Sequence, residues 1–257
     1  MANDSESSIV LYAIEGSIAS ITLNRPTKRN ALDDEVIAGI KNSLRRAAAN
    51  DFARAVVISG AGSDFCSGAD LSALQKISES TIGENSADAR SLMELFTLIR
   101  ELPIPVIAAV HGRALAGGCG LASAADLVLA TESARFGYPE VKIGFVPAMV
   151  MAILKRNVSE KQAFELLTTG NEITAQRAYE LGLVNQVFSD QTFADDVENY
   201  VSVFERMSKS AVALSKTLLY QIDGVAFREA IETGMDVNVI ARLSADCQRG
   251  IEKFLKR

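Results

Sequence analysis

The sequence is poor in the residues that bind metal ions and form disulfides. It holds one histidine, His111, and three cysteines, Cys66, Cys119 and Cys247, at scattered positions. An odd number of widely separated cysteines fits neither a disulfide framework nor a zinc knuckle. A single histidine cannot build a site with several imidazole ligands. We therefore expect metal-free chemistry.

Long apolar segments and an excess of positive charge are also missing. No apolar run approaches the roughly 20 residues that cross a membrane, and the formal net charge is −6. An acidic chain is a poor partner for nucleic acid or anionic membranes, although a small phosphorylated ligand needs only a local basic pocket. The first residues, MANDSESSIV, lack the basic and then apolar pattern of a secretory signal. We expect a cytoplasmic protein with neither a nucleic-acid nor a membrane partner.

The 257 residues, 48% of them hydrophobic, suffice for one large domain or a domain with a subdomain. Strand-like runs alternate with helical periodicity over most of the chain, and the pattern from Phe193 onward is helical. This order predicts an α/β core over residues 1–195 and a C-terminal helical subdomain over residues 196–257.

Individual elements follow from periodicity and from turn residues. The predicted strands cover 9–15, 18–23, 55–59, 105–110, 127–130 and 184–188, with Gly16 joining the first two as a hairpin. The predicted helices cover 91–102, 159–168 and 174–181, and Asp33 is the expected N-cap of an earlier helix. The polar segment 78–87 is predicted to be a mobile loop.

The segment 107–147 carries the pattern with the clearest chemistry. A strand leads into Gly117-Gly118-Cys119-Gly120 at the start of a helix, and Glu140 follows between Pro139 and Val141. Free N–H groups at a helix start stabilise anions, including an anion that exists only in a transition state. A carboxylate in apolar surroundings acquires a raised pKa and can transfer protons. We predict an oxyanion held by backbone amides, with Glu140 moving the proton.

Two glycine patterns resemble nucleotide-binding motifs but are incomplete. Gly60-Ala61-Gly62 follows a strand, yet Phe65 replaces the third glycine of a dinucleotide fingerprint. The segment 112–117 has the glycine spacing of a P-loop, but Gly118-Cys119 replaces Lys-Ser/Thr.

Four other residues with polar or reactive side chains are expected to have structural roles: His111, Cys119, Asp70 and Asp126.

Five segments occur in a characteristic order along the chain: ITLNRPTKRNAL (21–32), VVISGAGSDFCSGADL (56–71), VIAAVHGRALAGGCGLASAADLVLA (106–130), FGYPEVKIGFVP (136–147) and ITAQRAYELGLVNQVF (173–188). In this order they resemble the crotonase superfamily, the enoyl-CoA hydratase/isomerase family, over essentially the whole chain. Several ordered segments are much more specific than any single glycine pattern.

The resemblance implies a crotonase-like spiral of ββα units with a C-terminal helical region that assembles trimers, often paired into hexamers. It also implies a fatty or branched acyl-CoA thioester substrate and no separate cofactor. The oxyanion hole of the family carries over to the backbone N–H groups of Ala69 and Gly117. The substrate-binding residues that the resemblance implies are Ser67, Gly68, Ala69, Asp70, Leu71, Gly117, Gly118, Lys28 and Arg29.

One position departs from the family pattern. Typical hydratases of the family carry two glutamates; Glu140 matches the second, whereas Gly120 occupies the position of the first. Addition of water uses both carboxylates, but moving a proton between the α and γ carbons of a dienolate needs only one base. The sequence therefore favours isomerisation. Hydration of a short or branched enoyl-CoA, decarboxylation, thioester hydrolysis and binding of acyl-CoA without turnover remain alternatives.

Overall fold

The computed structural model describes residues 8–68 and 71–256, with the backbone alone for residues 71–74. Its main sheet has six strands in the order β1-β2-β3-β4-β6-β9, and a smaller sheet has the order β5-β7-β8. The strands of the main sheet are β1 (Val10–Glu15), β2 (Ile18–Leu23), β3 (Ala55–Gly60), β4 (Val106–Val110), β6 (Leu127–Thr131) and β9 (Gln186–Phe188). Those of the smaller sheet are β5 (Arg113–Leu115), β7 (Arg135–Gly137) and β8 (Ile173–Thr174).

The main sheet begins with the predicted hairpin and continues as a parallel sheet. Strands β1 and β2 pair antiparallel, from Val10 opposite Leu23 to Glu15 opposite Ile18. Gly16, in the turn between them, has a φ of +58°, which a residue with a side chain rarely adopts. The remaining pairs of the main sheet are parallel. All five residues of β4, in the middle of the sheet, are buried.

Helices connect the strands and make up the end of the described chain. They are α1 (Asp34–Ala48), α2 (Leu71–Glu79), α3 (Ile82–Glu101), α4 (Gly117–Ala124), α5 (Ala148–Asn157), α6 (Glu160–Thr169), α7 (Ala175–Leu181), α8 (Phe193–Val201), α9 (Val203–Arg206), α10 (Lys209–Gln221), α11 (Phe227–Leu243) and α12 (Ala245–Leu255). An α/β core followed by helices is therefore confirmed. The predicted domain boundary at residue 195 falls within α8, and the division into two domains stays a prediction.

Helix α1 forms where the sequence indicates it. The Asp33 carboxylate accepts a hydrogen bond from the Val36 amide at 2.9 Å, which confirms the predicted N-cap. The apolar face of the helix, with Val36, Ile40 and Leu44, is buried against the core. Burial of this face anchors the helix to the first strands of the sheet.

The predicted mobile loop over residues 78–87 is wrong, because most of this segment is helical. Helix α2 ends at Glu79 and α3 begins at Ile82. The Thr81 amide donates to the Glu84 carboxylate at 2.8 Å, and the Glu84 amide donates to the Thr81 hydroxyl at 3.3 Å. These polar residues form a capping box, so the polarity that suggests a loop in fact starts a helix.

A buried ion pair fixes α10 to the sheet. The Lys216 ammonium donates to the Asp126 carboxylate at 2.7 Å and to the carbonyls of Ile99 and Ile104 at 2.8 and 3.0 Å. Asp126 also accepts from the Val106 amide at 2.7 Å, as its expected structural role requires. Among the helices of residues 8–68 and 71–256, none is both long and apolar enough to cross a membrane.

Candidate active site

A turn of small residues after β3, residues 65–71 (the first turn), approaches the glycine turn at the start of α4 through Gly68. A Cβ atom on Gly68 would be 2.7 Å from the Ala116 Cβ and 3.6 Å from the Gly117 nitrogen. Cys66 and β5 hold the turns together, because the Cys66 amide donates to the Arg113 carbonyl and the Leu115 amide to the Cys66 carbonyl, both at 3.0 Å. The end of the first turn therefore lies beside the first amide of α4.

The start of α4 depends on glycine and on a strained residue before it. A Cβ on Gly118 would lie 2.3 Å from the Cys66 carbonyl oxygen, so a side chain there requires a shift of the backbone. Ala116 has a φ of +50° and a ψ of −126°, a conformation that a residue with a side chain adopts only under constraint. The Gly120 amide donates to the Ala116 carbonyl at 2.9 Å. The amides of Gly117 and Gly118 precede this bond and have no acceptor within the helix.

The remaining residues of the first turn are only partly described. Ala69 and Asp70 lie outside the described residues, as does the side chain of Leu71, whose backbone begins α2. The Ser67 amide donates to the Arg29 carbonyl at 3.0 Å. The Gly68 carbonyl accepts from the Leu32 amide at 2.6 Å. Both bonds connect the turn to the segment that follows the first hairpin.

That segment brings the two predicted basic residues near the first turn. Lys28 ends a 3-10 turn, Pro26–Lys28, and Arg29 follows it with a left-handed φ of 51°; both side chains are exposed. Sequence reasoning missed Asn30, which is fully buried and donates to the carbonyls of Ala61 and Asp64 at 2.8 and 2.7 Å. The segment NRPTKRN suggests a turn, but its letters do not show which asparagine is buried.

Glu140 is held on a second 3-10 turn, Pro139–Ile143. Tyr138, just before it, is fully buried, and its hydroxyl lies 2.9 Å from the Ser123 hydroxyl, which donates to the Cys119 carbonyl at 2.7 Å. These contacts connect the turn that carries Glu140 to α4, which carries Gly117. Glu140 and Gly117 are thus joined through one chain of hydrogen bonds.

The Glu140 carboxyl group lies in poorly solvated surroundings. Its Oε2 atom is buried and has no hydrogen-bond partner among the described residues. Burial raises the pKa of Glu140 above its ordinary value, because the charged form loses hydration. The direction of this shift agrees with the raised pKa expected from the sequence and suits a group that both takes up and returns a proton.

The position of the missing glutamate is filled by apolar side chains. Gly120 is buried, and a Cβ on it would lie 2.7 Å from Val150 Cγ2 and 3.1 Å from Phe96 Cζ. Phe96 belongs to α3 and Val150 to α5. A carboxylate side chain at residue 120 would therefore require Val150 and Phe96 to move.

Two other candidates have the structural roles expected of them. One ring nitrogen of His111 lies 3.0 Å from the Gly62 carbonyl oxygen. Cys119 is fully buried, and burial raises its pKa to about 11, so the thiol stays protonated at neutral pH. Within the described part of the chain, no group of histidine, cysteine, aspartate and glutamate side chains could hold a metal ion.

An ion pair between half-exposed Arg113 and buried Asp64, which sequence reasoning missed, supports the approach to α4. The Asp64 carboxylate is almost fully buried and accepts from the Arg113 Nε atom at 2.8 Å and from its amide at 3.1 Å. Burial acts to raise the pKa of Asp64, but the hydrogen bonds from Arg113 and Ser63 outweigh it and the net pKa is lowered. The charged pair therefore fixes the start of β5 next to the first turn.

Comparison with known proteins identifies the group to which this fold and site belong. The sequence profile described as enoyl-CoA hydratase/isomerase matches residues 13–257, nearly the whole chain. The chain belongs to the enoyl-CoA hydratase/isomerase family. Its matched region includes both glycine turns and Glu140.

Individual members of the family resemble the chain over almost its full length. It is 33% identical to the 2,3-dehydroadipyl-CoA hydratase of Escherichia coli, covering 92% of this chain and 91% of that protein. It is 28% identical to the 1,2-epoxyphenylacetyl-CoA isomerase of the same organism, covering 96% and 95%. The crystal structure of an enoyl-CoA hydratase from Mycobacterium smegmatis matches with a TM-score of 0.92 at 32% identity, covering 96% of both chains.

Membership of the enoyl-CoA hydratase/isomerase family confirms the main predictions drawn from the sequence. The crotonase fold, with its parallel sheet and C-terminal helices, is the one expected. The protein is an enzyme of this family, whose members are named as both hydratases and isomerases.

Proposed function

We propose that the enzyme moves the double bond of an enoyl-CoA thioester through an enolate, with Glu140 as the single proton carrier. The observation that carries this proposal is the filled position at Gly120, where a side chain would collide with Val150 and Phe96. Hydration in the two-glutamate pattern uses two carboxylates to position and activate water. Isomerisation uses one base twice and consumes no water.

In the proposed mechanism the amides of Ala69 and Gly117 bind the thioester oxygen. When the Glu140 carboxylate removes a proton from the α carbon, negative charge develops on that oxygen. The Gly117 amide, at the N-terminal start of α4, stabilises this charge without reorganising, and the helix dipole contributes in the same sense. Protonated Glu140 then gives the proton to the γ carbon, which completes the shift of the double bond.

The raised pKa of Glu140 supports both halves of this transfer. A carboxyl group with an ordinary pKa is a weak base towards carbon, and it releases the proton to solvent readily. Burial of Glu140 and the lack of a partner for Oε2 among the described residues make its charged form costlier. Its conjugate acid is therefore easier to form and persists until the γ carbon is protonated.

We propose that the substrate is a fatty or branched acyl-CoA and that the enzyme needs no cofactor of its own. Ser67, Gly68, Asp70, Leu71 and Gly118 would contact it beside the oxyanion hole. Lys28 and Arg29, exposed next to the first turn, would meet the phosphates of coenzyme A. The support is their placement near Ser67 and the match of these positions to the family.

We also propose a homotrimer or a dimer of trimers that works in the cytoplasm without nucleic-acid or membrane partners. Helix α11 supports the assembly, because Phe227, Ile231 and Met235 follow each other at helical spacing with 82%, 59% and 60% exposure. Light scattering on the purified protein tests it: the proposal expects three or six times the chain mass of 27.5 kDa. A mass of 27.5 kDa would contradict it.

Product analysis in heavy water tests the proposed reaction. Paired 2-enoyl-CoA and 3-enoyl-CoA esters of several chain lengths are incubated with the enzyme, and the products are identified by mass and by chromatography. We expect each ester to convert to the other without gain of water. A product that has gained one water would favour hydration, and release of carbon dioxide or free coenzyme A would favour decarboxylation or hydrolysis. Binding without any product would indicate an acyl-CoA-binding protein.

A further inference from the structure

We infer that Phe96 and Val150 form an apolar wall that keeps water away from the enolate and thereby selects proton return over hydration. This inference rests on the proposed function and adds specificity-determining residues to it. Phe96 belongs to α3 and Val150 to α5, and their side chains are 5% and 4% exposed. They meet at Gly120, one helical turn beyond the oxyanion donor Gly117.

The geometry at Gly120 shows a wall made of carbon atoms. The three atoms nearest to a Cβ placed on Gly120 are Val150 Cγ2 at 2.7 Å and Phe96 Cζ and Cε2 at 3.1 and 3.7 Å. A buried water molecule needs about two to four polar partners. None of these three carbon atoms can serve as one, so a water molecule against them would lose hydrogen bonds that it keeps in bulk solvent.

The consequence concerns the fate of the transferred proton. In a 3-enoyl ester, the α C–H bond breaks, the proton forms an O–H bond with Glu140, and the electron pair delocalises onto the thioester oxygen. The electrons then return to form a C–H bond at the γ carbon with that proton, and the double bond ends between the α and β carbons. If the wall excludes water, the proton on Glu140 cannot exchange before it is returned.

The test follows an isotope label through this transfer. A 3-enoyl-CoA carrying deuterium on the α carbon is converted in ordinary water, and the deuterium in the γ position of the product is measured by mass spectrometry and NMR. We expect the unaltered enzyme to retain label at the γ carbon. Val150→Thr, which keeps the volume but presents a hydroxyl group, should raise the ratio of exchanged to retained label several-fold and yield a detectable water adduct.

Matched variants separate the wall from general damage to the core. Phe96→Ala should raise exchange as Val150→Thr does, whereas Phe96→Leu, which keeps the wall apolar, should change it little. Leu95→Ala removes a neighbouring buried side chain of α3, and Val158→Thr places a hydroxyl at another buried position after α5. Both controls should retain the label as the unaltered enzyme does.

Two results would overturn the inference. One is complete loss of the label in the unaltered enzyme while isomerisation proceeds; the other is unchanged retention in a folded, active Val150→Thr variant. Failure of the proposed function is a different result, because the unaltered enzyme would then produce no isomer from any ester. The isosteric Val150→Thr change is the decisive variant, since it is the one expected to disturb packing least.

Discussion

Glu140 shows how one residue can be favourable for catalysis and unfavourable for folding. Its carboxyl group is fixed on a short 3-10 turn, and one of its oxygen atoms is buried with no partner among the described residues. The raised pKa that suits proton transfer has a cost, because burial makes the charged form of Glu140 less favourable in the folded protein than in the unfolded chain. Both consequences can be measured with the same substitution.

The first prediction concerns turnover. Glu140→Gln keeps the size of the side chain but cannot accept the proton, so we expect kcat to fall by about 100-fold or more, the usual contribution of a general base. Steady-state kinetics on the most active enoyl-CoA ester measure this effect. Glu132→Gln, at an exposed glutamate on the turn before β7, serves as the control and should leave kcat unchanged. Undiminished turnover in Glu140→Gln would remove Glu140 from the mechanism.

The second prediction concerns stability and pH. Because the folded-state pKa of Glu140 is raised above its ordinary value of 4.5, the folded protein binds this proton more tightly than the unfolded chain. The resulting stabilisation is present below pH 4.5 and is lost as the pH rises through the folded-state pKa. Glutamine does not titrate, so the Glu140→Gln variant should not lose stability in this way as the pH rises.

Thermal unfolding of the variant and of the unaltered protein should therefore diverge as the pH rises. We expect Glu140→Gln to have the higher melting temperature at pH 7 and the difference to shrink on acidification towards pH 4. A difference that stays constant over this range would show that the titration of Glu140 does not contribute. Glu132→Gln again provides the comparison, since an exposed carboxylate bears little desolvation cost.

At the scale of the element, the capping box of α3 explains why most of the predicted mobile loop over residues 78–87 is helical. Thr81→Ala removes the side-chain acceptor of the Glu84 amide and the hydroxyl donor to the Glu84 carboxylate, which keeps its bond from the amide of residue 81. We expect a loss of about 1 kcal/mol in the free energy of unfolding, with faster amide exchange in the first turn of α3. Thr97→Ala in the same helix removes only a bond to the Met93 carbonyl and should change stability less. Equal effects would argue against the cap.

The elements that the sequence predicts well are those with their own local signal. β-prone apolar runs indicated β3 and β4, and the spacing of apolar residues indicated α1 and its Asp33 cap. The strands of the smaller sheet were missed, because β5, β7 and β8 have only two or three residues each and gain their pairing from the tertiary structure. Local pattern cannot reveal such strands.

The candidate site also contains both residues that local sequence predicts and contacts that only the tertiary structure shows. The glycine turn at Gly117 and the carboxylate of Glu140 were found because helix starts and isolated acids have recognisable surroundings in the sequence. The contact of Phe96 and Val150 with Gly120 was not predicted, since it joins residues from three separate helices. The sequence shows that residue 120 has no side chain, but only the packing of the helices determines which side chains fill that space.

At the scale of the whole molecule, one ion pair connects the C-terminal helices to the sheet. Lys216→Met leaves the largely buried Asp126 carboxylate without its cation, and we expect a loss of about 3 kcal/mol in the free energy of unfolding. Chemical denaturation measures this value. The double change Lys216→Met with Asp126→Asn should cost clearly less than the sum of the single changes, since no unpaired charge remains. Strict additivity would show that the two groups act independently.

The parallel topology also predicts when enzymatic activity returns during refolding. Gly68, Gly117 and Glu140 lie on different crossover segments, which meet only when β5 has paired with β7 and with Cys66. Contacts between segments distant along the chain form slowly, whereas individual helices form within microseconds. During refolding, helical circular dichroism should therefore return before turnover does. The recovery of activity would then report the last step of folding, in which separate parts of the chain first form one reaction centre.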